Sequence, residues 1–174
     1  MVNDWLDDQL AEFRQEDDDR IEQGHRQRLI QQHTGRLYET LASLIKDAVE
    51  KINREPDFKK RVGQLDGEFV YTAKVRIVKS TYPAIYLTVE RAPNTIDIHR
   101  LYVTNGGNRE STEHREALEV HLDQDGNPFL KNKDGQSLLP EEAVRYLFQP
   151  FFKPEILEQE RTGRQRWASR SLGS

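Results

Sequence analysis

The sequence predicts an α+β fold: a long N-terminal helix packed on a four- to five-stranded antiparallel meander, then short C-terminal helices and a disordered basic tail. Three observations carry that expectation. Apolar residues recur at spacings of three and four through Arg36–Asn53, as on one helix face. From Gly67 to Asp123 the period changes to two. The strand-like runs are joined by short polar connections, which suits antiparallel neighbours with one buried face.

A chain of 174 residues suits one domain with appendages. Apolar residues make up 35% and charged residues 32%, against roughly 45–50% and 25% in compact domains. The core is therefore modest, and part of the chain lies outside it. Charge is segregated along the chain. Residues 1–24 carry nine acids and two bases, a net −7, whereas from Arg161 onward there are four arginines and no acid. The chain thus divides into an acidic arm (1–24), a single α+β domain (25–157) and a basic tail (158–174).

In the arm, Trp5, Leu6, Leu10 and Phe13 form a stripe at near-helical spacing, with Asn3 or Asp4 placed to cap it. Such a helix is marginal alone in water. It rests on its own domain or docks in the groove of a partner. The main helix follows, with Leu37, Leu41, Leu44, Ala48 and Ile52 on its face and Tyr38, Ile45 and Val49 widening it. Gly24 and Gly35 are points where it could bend or start, and Pro56 ends it.

The first strand-like run spans Phe69 to Val78, the second Ala84 to Glu90. The third, Thr95 to Thr104, starts on Ile96 and Ile98 and then shifts phase to Leu101 and Val103, which predicts a bulge at His99-Arg100. The fourth is Ala117 to Asp123, after a polar loop from Asn105 to Arg115 that holds His114. Asp125-Gly126 and Asp134-Gly135, nine residues apart, read as successive hairpin turns at the sheet edge. Pro140 opens a short helix with Ala143, Val144, Leu147 and Phe148 inside, and Pro150 stops it. Pro154 opens a last turn carrying Ile156 and Leu157. In outline this resembles cystatin-like or secretion-chaperone-like layouts, a likeness that carries no function.

Composition excludes several classes. No apolar run approaches the ~18 residues of a membrane span, and Met1–Trp5 has no secretory n-region. Without cysteine there is no disulfide, thiolate metal site or thiol nucleophile. A cytoplasmic chain is the expectation. His121–Asn132 resembles a calcium loop but lacks the bidentate Glu at its twelfth position. The histidines have no metal-ligand spacing, no serine lies in a G-x-S-x-G elbow, and Asn105-Gly106-Gly107-Asn108 is no phosphate loop. No cofactor, metal or catalytic residue is assigned.

What remains are surfaces. Lys74 and Arg76 share a strand face with Thr72, and Tyr86 and His99 could join them to meet an anion or nucleic acid. The tail offers Arg161, Arg164, Arg166, Trp167 and Arg170 for the same purpose. A sequence pI near 5.8 disfavours nucleic acid as the main partner. The expectation is a non-enzymatic protein-binding or adaptor module in a larger assembly, docking through Trp5, Leu6, Leu10 and Phe13 onto a protein partner or another copy. Two alternatives stand beside it: an enzyme with a scattered site around His99, His121 and Arg76, and a nucleic-acid accessory protein using the tail. A pocket converging on those three residues favours the enzyme; a flat or filled sheet face favours the adaptor.

Overall fold

The computed structural model describes residues 4–104 and 110–157. A helix α1 (Asp4–Arg54) leads into the short α2 (Pro56–Val62). Seven strands follow: β1 (Leu65–Val70), β2 (Lys74–Lys79), β3 (Ala84–Arg91), β4 (Thr95–Val103), β5 (Ser111–Leu122), β6 (Pro128–Lys131) and β7 (Ser137–Leu138). The helix α3 (Pro140–Phe152) comes last. The strands pair in chain order, each antiparallel to the next, as a curled half-barrel. No helix among the described residues is long and apolar enough to cross a membrane.

The core lies between the C-terminal half of α1 and the concave sheet face. Leu37, Tyr38, Leu41, Ala42, Ile45, Val49 and Ile52 form the buried helix stripe. They meet Val75 and Ile77, Ile85, Leu87 and Val89, Ile96 and Ile98, and Leu118 and Val120. These strand positions are two apart, so each strand places one side chain in two inward. The helix end is tied to the sheet by Asn53, which bonds the Leu65 carbonyl at 2.8 Å and accepts from its N–H at 2.9 Å. α3 covers the remaining core with Ala143, Leu147, Phe148 and Phe151, and Phe152 packs edge-on against Phe58 of α2 at 5.9 Å.

Five local expectations are corrected. α1 is one uninterrupted helix of 51 residues, with no break at Gly24 or Gly35. One glycine costs about 1 kcal/mol, less than the surrounding ladder supplies, and Gly35 gives room for the Arg91 guanidinium 3.0 Å from where a Cβ would sit. The run from Phe69 to Val78 is two strands, folded at Tyr71–Ala73 where the Ala73 N–H bonds the Val70 carbonyl. With β6 and β7 at the other edge, the sheet reaches seven strands. β4 has no bulge: it pairs residue for residue with both neighbours, and Arg100 occupies an inward position between Ile98 and Tyr102. β5 starts at Ser111, so His114 is a buried strand residue and not part of a loop. Pro150 lies inside α3, where the helix continues to Phe152. A proline in the last turn breaks only a bond near the helix end.

The Asp-Gly turns stand as expected. Gly126 and Gly135 have φ of 79° and 78°, which glycine adopts without strain. Asp123 takes the N–H groups of Asp125 and Asn127 at 2.9 and 2.8 Å. These bonds, chiefly from Asn127, hold its carboxyl below the usual range. Asn132 does the same for Asp134 and Gln136. The calcium-like spacing is thus a pair of side-chain-braced turns.

Candidate functional site

Three features of the fold present functional side chains. The first is the arm. At 1.5 Å per residue, residues 4–29 of α1 extend about 38 Å, and the first half-buried apolar side chains along them are Leu29 and Ile30. Trp5 is 62% exposed and Phe13 58%, with Leu6, Leu10 and Ile21 also open. Leu6, Leu10 and Phe13 recur at four and three, as on one helix face. Asp17, Arg20, Gly24, Gln27 and Gln31 lie between this stripe and the one of Tyr38, Leu41 and Ile45 that covers the sheet. The same helix therefore has one apolar stripe in the core and a second in water. Where α1 leaves the sheet, Glu22, His25, Arg26 and Leu29 face the β5–β6 turn across a notch of about 410 Å³.

The second feature lies on the convex sheet face. Strand register aligns Glu68, Arg76, Thr88, His99 and Arg115 in one transverse row across β1–β5. The adjacent row holds Lys74, Glu90 and Asp97. All of these but Glu68 line a depression of about 470 Å³. Glu113 accepts from Arg115 at 2.7 and 2.9 Å and lies 2.6 Å from His99 Nε2. The Arg115 hydrogen bonds and charge, with His99 second, hold the Glu113 carboxyl low. Lys74 is 3.7 Å from Glu90, and Thr95 donates to Asp97 at 2.9 Å. Among the described residues, Arg76 makes no ion pair or hydrogen bond.

The sequence expectation placed Lys74, Arg76 and His99 on one face, and they share it. Thr72 does not, because it lies in the β1–β2 turn. His121 does not converge with Arg76 and His99 either. It sits six residues past Arg115, about 20 Å along the strand, bonded to Glu119 at 2.8 Å and stacked on Phe129. Thr88 and Arg115 were missed, since cross-strand register is not written in any one strand. The basic tail residues Arg161, Arg164, Arg166, Trp167 and Arg170 lie outside the described residues, as does Asn105-Gly106-Gly107-Asn108.

The third feature is internal. Arg100 pairs with Glu116, both side chains 6% exposed. Tyr146 of α3 donates to the second oxygen of Glu116 at 2.5 Å, and the Arg100 guanidinium lies 5.5 Å from the Tyr146 ring centre. His114 is the buried residue opposite Arg100 on β5. Burial, then the bond and charge of Glu116, push the Tyr146 phenol well above its ordinary value. The signal for this group was in the sequence as polar residues at inward positions of apolar strands. The group ties α3 to the sheet as a charge-paired core network in which Arg100 Nε has no hydrogen-bond partner. Among the described residues no three metal-binding side chains come together. Set against family models, curated proteins and solved structures, the chain matches none of them.

Proposed function

We propose that this chain is a protein-binding module, one piece of a larger assembly, that docks through the N-terminal arm of α1. The observation that carries the reading is the open stripe of Trp5, Leu6, Leu10 and Phe13 on a helix continuous with the core. Burying one large aromatic contributes about 1.5–3 kcal/mol, so leaving two in water is a liability that a partner surface removes. Continuity with the core helix pre-orients the arm and lowers the ordering cost of docking. The test is the double change Trp5→Ala with Phe13→Ala. It should leave the thermal midpoint of the domain within about 2 °C while weakening association at least tenfold, the scale of one buried side chain. A large fall in midpoint with association unchanged would place the arm in the core instead.

One observation favours a second reading, a small polar ligand bound or turned over on the sheet face. Arg76 and His99 line a single depression there with Lys74, Thr88 and Arg115. The acids Glu90 and Asp97 line it too, so its charge is mixed and suits no simple anion. Binding of inorganic phosphate or an amino acid, lost in Arg76→Ala, would support this reading over the arm.

A further inference from the structure

We infer that the partner of the arm is a second copy of this chain, with the two α1 helices antiparallel. The inference rests on the docking reading of the arm and names its occupant. Residues 4–22 of α1 carry nine acids and two arginines. Residues 23–38 of the same helix carry Arg26, Arg28 and Arg36 with His25 and His33, and no acid. Arg26, Arg28 and Arg36 are all exposed, and His25 and Arg26 border the notch beside the β5–β6 turn. One helix therefore presents an acidic, apolar-striped half and a basic half end to end. Two copies side by side in the same direction would set −7 against −7. Reversed, each acidic half lies along the basic half of the other, and attraction replaces repulsion.

Such a pair is isologous: the same surface is used twice about a two-fold axis, and it closes without propagating. With the axis near Ile21, Glu16 and Asp17 of one copy fall at the level of Arg26 and His25 of the other, and Phe13 at that of the half-buried Leu29. Ile21, open in the single chain, lies on the axis against itself.

The chain's own basic tail, Arg161 to Arg170, is the other source of positive charge, and truncation after Leu157 separates it from a second copy.

The experiment is sedimentation velocity on the full chain, with a charge-swap pair. In one variant Glu12, Glu16 and Asp17 become Lys; in the other Arg26, Arg28 and Arg36 become Glu. Each variant alone should be a monomer, and the mixture should form a dimer. Wild type should dimerise and dissociate about tenfold more readily in high salt. Trp5→Ala with Phe13→Ala should weaken the dimer about 100-fold or more. Direction is read with single cysteines, since the chain has none. Gln9→Cys should not disulfide-link to itself, but should link to a Gln32→Cys copy. Self-linking of Gln9→Cys would overturn the antiparallel pairing. So would loss of the dimer on truncation after Leu157, because the tail would then be the occupant. Wild type that stays monomeric at all concentrations overturns self-pairing while leaving the arm free to dock elsewhere. A fall in thermal midpoint in the double alanine variant with the dimer intact instead sinks the docking reading itself.

Discussion

At the scale of single residues, the strongest consequences attach to side chains the core does not ordinarily take. Arg100 and Glu116 are paired inside the sheet and roofed by Tyr146. Removing one partner leaves the other charge buried and alone, a cost of about 3–5 kcal/mol. Glu116→Ala should lower the unfolding free energy by that amount in urea titration. Arg100→Met with Glu116→Leu, which removes both charges and keeps the volume, should recover most of it. Equal loss in both variants would show that the network does more than neutralise itself. Tyr38 makes a second residue-scale test. Burial first, and the nearby Glu90 charge second, raise its phenol from 10.0 to about 12. The folded chain thus keeps this proton longer than the unfolded chain. The associated stability is full below pH 10 and is lost as pH rises through about 12. A shift of that size corresponds to at most about 3 kcal/mol. Tyr38→Phe should flatten the alkaline fall in stability over that window. Part of the fall should remain, because Tyr146 is shifted in the same direction.

At the scale of elements, α1 is the decisive piece, and Gly24 is where its continuity is most exposed to test. Nothing lies within 4 Å of a Cβ built there, so Gly24→Ala should add helix without collision, worth about 1 kcal/mol. Gly24→Pro costs about 3 kcal/mol and removes the bond to the Arg20 carbonyl. It should lower helical circular dichroism and abolish association, with the core midpoint unchanged. A matching loss of core stability would mean that the arm and the domain fold as one unit. Most of this element was legible in the sequence, because the stripe from Leu37 to Ile52 is a strong 3.6-residue signal. The inward faces of β3 and β5's distal half were legible for the same reason at period two. The β1–β2 hairpin was not, because Tyr71-Thr72-Ala73 has no Gly, Pro or Asn to announce a turn. The phase of β4 was misread because a buried arginine looks, in sequence, like an outward residue; only its partner Glu116 across the sheet makes it an inward one. Of the candidate sites, the arm stripe and Lys74, Arg76 and His99 were readable. The row that joins Arg76 to Thr88 and Arg115 depends on register, which is a property of three hairpins together.

At the scale of the whole molecule, the distribution of burial divides the chain. Among the described residues the first buried side chain is Thr34, and the last is Leu157. A fragment of residues 26–157 loses no buried group, and it keeps Leu29 and Ile30 where α1 meets the domain. It should therefore fold with a thermal midpoint within about 4 °C of the full chain, the shift that a 1 kcal/mol change produces in a domain of this size. It should also be monomeric, since the acidic half of α1 is gone. Starting instead at residue 40 deletes Leu37 and Tyr38, the latter among the largest fully buried side chains. Large-to-small changes at such positions cost several kcal/mol each, comparable to the whole stability of a small domain. That shorter fragment should not melt cooperatively. Limited proteolysis offers the same division from the outside, because cleavage needs locally open backbone. First cuts should fall before residue 30, leaving β1–β5 intact. First cuts between residues 67 and 103 would mean that the sheet opens before the arm, and would sink the division of the molecule into a folded domain and a docking helix.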